Sequence, residues 1–305
     1  MVYLVTKKIK GHEYQYLVNN IREGTKTIQK TIKYLGKKRP ISKEEFECIK
    51  LSYEKKDWIL TEYQDYLSYQ DYELMKKNSS YYQKHLFSLD EVSKEKEREK
   101  FLSMFISNSN AIEGSTLTVY ETNNLLFNDL TPKGYSKKEI NMAQNLLNAW
   151  IYVEKNHKRL PKKEDLLKLH KMVNQNIESD ETLGNYKQIQ NYIGAIFTTS
   201  TFFVEDRMVD LLKWVRKAYK EINDFEVAFQ SHAQFEIIHP FVDGNGRVGR
   251  LLLNWLLMYK KLSPLAIRLK KRLDYIEALN NSRKGKVEAI SKFCFKEYVK
   301  QYEFM

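Results

Sequence analysis

A twelve-residue stretch, HPFVDGNGRVGR at residues 239–250, brings together side chains and glycines that could do chemistry as a group. It holds three of the chain's 11 glycines, together with one histidine, one aspartate and two arginines. Apolar sequence with helical spacing flanks it on both sides, so we expect a loop that leads into the N-terminus of a helix. Such a terminus presents free backbone amides and the positive end of the helix dipole, and it therefore favours anions.

The side chains of this loop suit a polyphosphate better than a single carboxylate. Gly244 and Gly246 allow the backbone to approach a ligand closely. Arg247 and Arg250 are three residues apart and share a face of the following helix, where two guanidinium groups can bind several phosphate oxygens. Asp243 would repel phosphate unless it held Mg²⁺, which takes one or two carboxylates together with substrate oxygens.

A histidine directly before the loop supplies a base. The unperturbed pKa of histidine is about 6.5, so His239 can accept a proton near neutral pH. A base, a metal-binding carboxylate, a phosphate cradle and two arginines together predict transfer of a nucleotide phosphoryl group to a hydroxyl. His239 would deprotonate the acceptor, a step typically worth about 10²–10⁴-fold, and the phosphate contacts would stabilise the developing charge.

The elements that must position this loop are mostly helical. Before residue 40, three short β-branched and aromatic segments predict a three-stranded β-meander. After Pro40 helical periodicity takes over, and residues 183–204 are the exception, a β-rich stretch that predicts a hairpin. Capping boxes predict four helix starts: Ser42–Glu45, Ser88–Glu91, Thr118–Glu121 and Ser136–Glu139.

Composition limits the class of protein. No apolar run approaches the ~20 residues that span a bilayer, so we expect no membrane segment. Two distant cysteines without a CxxC spacing argue against a disulfide framework and favour the cytoplasm. The net charge of +12 is concentrated at the N-terminus, because residues 1–40 hold ten Lys or Arg and two Asp or Glu. This segment could bind nucleic acid or an acidic protein face, or could be no more than a well-solvated surface.

The pattern H-x-F-x-D-G-N-G-R-x-x-R fixes eight positions, which chance would produce in about one window in 10¹⁰. It is the signature of the Fic family, and the chain resembles Fic adenylyltransferases from about residue 100 to the C-terminus. The segments LGNYKQIQNYIG and YIEALNNSRKG support the resemblance. It implies a mostly α fold, with a Fic-type helical core and a β-hairpin flap after the N-terminal meander. We expect a basic β-meander at 1–40, a helical connecting region at 41–100 and a Fic domain at 101–305.

The resemblance implies an enzyme, a nucleotidyltransferase that moves AMP from ATP, with Mg²⁺, to a Ser, Thr or Tyr hydroxyl of a target protein. It makes His239 the general base and Asp243 the metal ligand. The phosphate-binding role falls to Gly244, Asn245, Gly246, Arg247 and Arg250.

The hairpin at 189–203 resembles the flap on which Fic proteins align a target segment by β-augmentation. The family usually has Arg where Lys187 stands, and often Pro-Pro where the chain has Val204 and Glu205. The residues expected to meet the target are Ile189, Gln190, Asn191, Tyr192 and Ile193.

A second short segment, SNAIEG at 109–114, resembles the family's inhibitory pattern of Ser or Thr, three residues, Glu, and Gly or Asn. Ser109 and Glu113 are four residues apart, on one face of a helix. By analogy Glu113 would pair with Arg250, take the place of the ATP γ-phosphate and leave the α-phosphate misaligned. An ordinary surface glutamate next to a helix-ending Gly114 is the alternative.

The segment PLAIRLKKRLDYIEAL resembles the branch that includes the metazoan endoplasmic-reticulum Fic enzymes. In that branch two adjacent tyrosines stand where this chain has Tyr275 and Ile276. We therefore expect Tyr275 at the nucleotide base, and the missing second aromatic leaves UTP or another nucleotide open. His170 and His232 lie on apolar helical faces and are expected to be hydrogen-bonded core residues.

Several functional alternatives remain open at this point. The same site could remove AMP from a target or perform both reactions, since Glu113 supports AMP removal in some relatives. From a different class, the protein could be a regulator that binds nucleic acid through residues 1–40 and uses the Fic domain as a scaffold. Assembly as a homodimer is left open.

Overall fold

The computed structural model describes residues 2–54, 63–194 and 196–303, and within them a small sheet precedes a largely helical chain. The strands β1 (Val2–Ile9), β2 (His12–Glu23) and β3 (Lys26–Lys37) form an antiparallel sheet in the order β1-β2-β3. The predicted meander is confirmed.

Two bulges in β3 fit one face of this sheet to the rest of the molecule. The pairing register between β2 and β3 shifts at two places, so that Ile32 and Leu35 have no directly opposed partner. Both residues belong to a small apolar cluster with Leu17, Ile49 and Phe203. Ile49 lies in α1 (Lys43–Glu54). This face of the sheet is therefore buried against a helix and against the segment that follows the predicted flap.

The remaining described elements follow in chain order. They are α2 (Tyr69–Ser88), α3 (Glu91–Ile112), α4 (Val119–Phe127), α5 (Lys137–Asn156), α6 (Lys163–Asn174), β4 (Tyr192–Ile193), β5 (Ile196–Phe197), α7 (Val204–Glu221), α8 (Asp224–Ile238), α9 (Asn245–Tyr259), a short 3₁₀ helix (Leu269–Lys271), α10 (Arg272–Arg283) and α11 (Glu288–Tyr302). The mostly α fold with a β-hairpin is confirmed, although the paired strands of the hairpin are only two residues long each.

The centre of the helical part is the pair α8 and α9. Nearly every residue of α8 is buried, and α9 is buried along most of its length. A helix that is buried on all sides must be covered by other helices; α7, α10 and α11 contact α8, while α3, α5 and α6 contact α9. The loop between the two central helices is therefore held by most of the core.

The capping predictions are mixed. The boxes at Thr118 and Ser136 are confirmed at the starts of α4 and α5, and Ser42 accepts a hydrogen bond from the amide of Glu45. The box at Ser88 is wrong, because Ser88 ends α2 and the N-cap of α3 is Asp90. The extended backbone of Leu89 separates the two helices, so α3 can begin only after it.

The helix α3 crosses the predicted boundary between the connecting region and the Fic domain. The predicted boundary between residues 100 and 101 lies inside α3, which runs without interruption from Glu91 to Ile112. The connecting region and the start of the expected Fic domain therefore share one helix. None of the helices in the described parts of the chain combines the length and the apolar character that a bilayer crossing needs.

Candidate active site

The stretch at 239–250 forms the loop 239–244 between α8 and α9 and the first turns of α9, as the sequence predicts. The backbone of His239 is left-handed, with a φ of 50°, and its amide still donates to the Phe235 carbonyl oxygen at 2.9 Å. A left-handed residue closes a helix, and Pro240 directly after it prevents the helix from continuing. His239 is therefore placed by the end of α8 itself.

Internal contacts fix the shape of the loop. The Asn245 side chain accepts from the Phe241 amide and donates to the Phe241 carbonyl oxygen, both at 2.9 Å. The buried Phe241 ring stacks on His170 with ring centroids 4.0 Å apart. The carboxamide of Asn245 thus shapes the loop, while the first turn of α9 leaves its backbone amides outside the helical bonding pattern.

Two glycines in the loop have no room for a side chain. A Cβ at Gly244, whose φ is 73°, would lie 2.5 Å from Nδ2 of Asn174. A Cβ at Gly246 would lie 2.1 Å from Oε1 of Glu113 and 2.9 Å from Nη1 of Arg250. The glycines therefore let other groups approach the N-terminus of α9 closely, and at Gly246 the group that does so is a carboxylate.

Arg247 is buried and is held mainly by neutral groups. Its Nη2 donates to Oδ1 of Asn174 at 2.9 Å, and its Nη1 donates to the Val173 carbonyl oxygen at 3.4 Å. Oδ2 of Asp243 lies 3.6 Å from Nη2. Burial is the main cause that lowers the pKa of Arg247.

Arg250 is bound by the two residues that the second motif supplies. Its Nε donates to Oγ of Ser109, and its Nη2 donates to the Ser109 carbonyl oxygen and to Oε1 of Glu113, all at 2.8 Å. Burial alone would lower the pKa of Arg250, but the adjacent Glu113 carboxylate raises it. The predicted pairing of Glu113 with Arg250 is present, and Arg250 stays charged.

Glu113 reaches this position from the end of α3. It is the C-cap residue of that helix, and Gly114 follows with a φ of 101°. Its side chain is 34% exposed, whereas the guanidinium of Arg250 is almost fully buried. The carboxylate thus lies against the phosphate-binding end of α9 while one side of it faces solvent.

His239 is a neutral base in this structure. Burial lowers its pKa to about 3, and the positive charges of Lys187 and Arg283 contribute further. Oε2 of Glu236 is 3.8 Å from Nδ1 of His239, too far for a hydrogen bond, and Nδ1 has no hydrogen-bond partner within the described ranges. The imidazole is therefore unprotonated throughout the physiological pH range, and its low pKa makes it a weaker base than free histidine.

A buried lysine ties the flap to the loop. Lys187 donates to Oδ1 of Asn191 at 2.7 Å and to Oγ1 of Thr198 at 2.5 Å, and burial lowers its pKa to about 7. Nδ2 of Asn191 in turn donates to the Phe241 carbonyl oxygen at 2.8 Å. The two sides of the hairpin base are therefore bonded to each other and to the catalytic loop.

The five predicted flap residues point in different directions. Ile189 and Tyr192 are 78% and 54% exposed. Gln190 donates to Oγ1 of Thr198 at 3.1 Å and, with Asn191, faces the hairpin base, whereas Ile193 is half-buried. The structure thus leaves Ile189 and Tyr192 exposed, while Gln190 and Asn191 form hydrogen bonds within the hairpin base and to the loop.

Tyr275 lies next to the buried guanidinium of Arg250. Its side chain is buried, its hydroxyl is 2.7 Å from Nε2 of His232, and the two rings are stacked. His170 accepts from the Gly184 amide at 3.0 Å and contacts the Asp243 carbonyl oxygen at 3.2 Å. The prediction that His170 and His232 are hydrogen-bonded core residues is confirmed.

Asp243 is the group that could hold a cation. Its side chain is 57% exposed and adjoins the amides at the start of α9. Within the described parts of the chain, no group of three or more His, Cys, Asp or Glu side chains could hold a metal ion. A single exposed carboxylate fits a Mg²⁺ that takes its other ligands from a nucleotide and water.

Two residues that build the site, Asn174 and Glu236, were not predicted from the sequence. Asn174 projects from α6 to the loop beside the predicted core residue His170, and it is about 70 residues distant along the chain. Glu236 is buried beside His239 and Gly249, and burial raises its pKa to about 7. The four-residue spacing of His170 and Asn174 on an otherwise apolar helix face was a detectable signal, and none of comparable strength marks Glu236.

Comparisons with known proteins agree with this geometry. The model of the Fic/DOC family matches residues 160–257. The curated "Protein adenylyltransferase Fic" of Nematostella vectensis is 32% identical over 194 residues, which is 62% of this chain and 45% of that protein. "Protein adenylyltransferase fic-1" of Caenorhabditis elegans is 28% identical over 200 residues, 63% of this chain and 39% of that protein. The chain thus spans less than half the length of these two relatives.

Solved structures support the same fold. Fic-1 (residues 134–508) from C. elegans superposes with a TM-score of 0.65 at 22% identity, covering 76% of this chain and 71% of that one. A Fic domain containing signaling protein from Bacteroides thetaiotaomicron gives a TM-score of 0.66 at 20% identity, covering 75% and 95%. The described chain therefore has the Fic fold, and the residues matched by the Fic/DOC family model, 160–257, contain the stretch from His239 to Arg250.

Proposed function

We propose that this protein is a protein adenylyltransferase that moves AMP from ATP to a Ser, Thr or Tyr hydroxyl of a target protein. The observation that carries the proposal is the placement of a neutral imidazole and two buried guanidinium groups around one glycine-rich helix N-terminus. The names of the curated relatives, protein adenylyltransferases, support it.

In the proposed reaction the histidine at the start of the loop accepts a proton, and the groups at the start of α9 bind phosphate. His239 accepts the proton of the target hydroxyl while that oxygen forms a bond to the α-phosphorus of ATP. The bond from the α-phosphorus to the bridging oxygen breaks, and pyrophosphate leaves. Arg247, Arg250 and the amides at the start of α9 hold the phosphate oxygens. Mg²⁺ at Asp243 supplies neutralisation of the phosphate charge when it is bound.

Glu113 makes the resting protein autoinhibited. Its carboxylate binds the guanidinium of Arg250 and fills the space beside Gly246, so the terminal phosphate of ATP cannot bind there. ATP that binds without this contact has its α-phosphate displaced from the line of attack. A misplacement of about 1 Å can cost on the order of 10²-fold in rate.

The target protein docks on the exposed side of the flap. Ile189 and Tyr192 offer apolar and aromatic contact area, and the edge of β4 offers backbone groups for an added strand. The two buried free thiols, Cys48 and Cys294, suit a reducing compartment such as the cytoplasm.

The test compares wild type, Glu113→Gly and Glu113→Gly/His239→Ala, each with Mg²⁺ and either α-labelled or γ-labelled ATP, alone and with cell lysate. We expect protein labelling from the α position only, at least about tenfold stronger in Glu113→Gly than in wild type, which is about 1.4 kcal/mol. The double variant should give no labelling.

The other outcomes separate the alternatives. Labelling from the γ position would indicate a kinase, and equal labelling by wild type and Glu113→Gly would rule out inhibition by Glu113. If neither label is transferred, α-labelled UTP tests the nucleotide preference that the single Tyr275 leaves open. Release of AMP from a target modified beforehand tests the removal reaction.

A further inference from the structure

We propose that one face of the N-terminal sheet binds single-stranded nucleic acid. This tyrosine face is the side of the sheet opposite the apolar cluster of Leu17 and Leu35. Its centre is formed by Tyr14, Tyr16 and Tyr34 with Lys7, Lys37 and Arg22 around them, while Val18 on the same face is fully buried. The binding site is separate from the catalytic loop and does not depend on AMP transfer.

The strand register places these side chains together. Directly opposed residues of an antiparallel pair share a face. Tyr16 is opposed by Val5 on one side and by Tyr34 on the other, and Tyr14 is opposed by Lys7 and by Lys37. Further along the same face, the Tyr3 hydroxyl donates to Asn20 at 2.9 Å and accepts from Gln29 at 2.7 Å.

Aromatic rings form the middle of the tyrosine face. The ring centroid of Tyr34 lies 5.2 Å from that of Tyr16 and 6.0 Å from that of Tyr14, and the Tyr34 side chain is 50% exposed. Nucleic-acid bases stack on exposed aromatic side chains, at a typical gain of about 1–3 kcal/mol per base. The half-exposed ring of Tyr34 is therefore accessible to a base.

The charges of the sheet are divided between its two faces. Lys7, Arg22 and Lys37 lie on the tyrosine face, and Nζ of Lys7 is 4.9 Å from the ring centroid of Tyr16. Glu13 and Glu23, the only acidic residues among the first 40, alternate with these positions and belong to the other face. The tyrosine face therefore has cations around its rings and no carboxylate to repel a phosphate backbone.

The opposite face has a partner already. It is packed on α1 and Phe203, and Lys33 on that side pairs with Asp206. A sheet face with a half-exposed ring in its centre suits unstacked bases, whereas a duplex keeps its bases stacked within the helix. An acidic peptide would use the cations but not the ring faces.

The experiment measures binding of the full-length protein to fluorescein-labelled oligo-dT and oligo-rU of about 12 nucleotides, by anisotropy at several salt concentrations. We expect binding that weakens steeply with salt. Tyr34→Ala should weaken it about tenfold, and Lys7→Ala should weaken it several-fold and reduce the salt slope by about one.

The matched control is Lys8→Ala, which removes the same charge from the neighbouring position on the other face and should change the affinity less than Lys7→Ala. Circular dichroism establishes that each variant folds. Equal effects of Lys7→Ala and Lys8→Ala would overturn the proposal, as would the absence of binding at low salt. Competition by polyglutamate as effective as competition by oligo-dT would point to an acidic protein partner and would likewise overturn it.

Discussion

Buried basic groups in two regions of the same site have pKa values that are shifted in opposite directions. At the phosphate end, Arg250 contacts the Glu113 carboxylate, and its pKa is raised. At the other end, burial lowers the pKa of His239 to about 3 and that of Lys187 to about 7. There the Glu236 carboxyl group is 3.8 Å from His239, and Lys187 donates to two neutral oxygens.

The difference shows how one short loop can combine an anion site with a proton acceptor. A buried imidazolium or ammonium loses its proton readily unless an opposite charge contacts it, whereas a guanidinium stays charged and its buried charge needs compensation. Glu113 provides that compensation for Arg250, whereas no such contact holds a proton on His239. The carboxylate that we propose as an inhibitor therefore also compensates the buried charge of Arg250 in the absence of nucleotide.

The largest effect is expected at His239, whose Nδ1 is 3.8 Å from a carboxylate oxygen of Glu236. Replacing His239 with Ala in the Glu113→Gly background should reduce AMP transfer by about 10²–10⁴-fold, because it removes the imidazole that we propose as the acceptor of the hydroxyl proton. Transfer of label from α-labelled ATP measures this. Similar rates with and without the imidazole would mean that His239 does not act as the base.

A smaller effect, on the stability of the fold, is expected when Arg250 is replaced. Arg250→Ala removes three hydrogen bonds and leaves the Glu113 carboxylate without its partner, so the free energy of unfolding should fall by about 1–3 kcal/mol. Urea unfolding followed by circular dichroism measures the loss.

The double variant Arg250→Ala/Glu113→Gln is the control for the charge. Because the amide of Gln carries no charge, it should recover part of the lost stability. If the double variant is no more stable than Arg250→Ala, the ion pair contributes nothing and only packing is lost.

The smallest effect is a shift in pH dependence. Lys187→Met removes a positive charge that helps to lower the pKa of His239, so that pKa should rise toward 6.5. The acid limb of the transfer rate, which a pKa of about 3 places near pH 3, should therefore move upward by about half a pH unit. The rate of the Glu113→Gly enzyme is measured from about pH 2.5 to about pH 6.

Lys187→Arg is the matched variant, because it keeps the positive charge while it disturbs the hydrogen bonds to Asn191 and Thr198. Its acid limb should stay where that of the parent enzyme lies. A limb that moves equally in both variants would show that the hydrogen bonds, and not the charge, set the pKa of His239.

The features that the sequence could predict are those written within one segment. The loop and the two residues that bind Arg250 lie in short patterns with a fixed spacing, and the structure brings them together. The contacts of Asn174 with Arg247 and of Lys187 with Thr198 depend on how separate elements pack, and no local pattern specifies them. The cap of α3 was missed because both Ser88 and Asp90 can cap, and only the extended Leu89 decides between them.

The position of Glu113 at the very end of α3 couples its contact with Arg250 to nucleotide binding. If a nucleotide phosphate and the Glu113 carboxylate compete for Arg250, each must weaken the other's binding by the same factor. Because Glu113 follows the last turn of its helix, releasing it opens only a helix terminus, the part of a helix that opens most readily. Hydrogen exchange of the amides at 109–115 should therefore become faster as the ATP concentration rises. The exchange rate at this helix end would then report the fraction of protein molecules that have nucleotide bound.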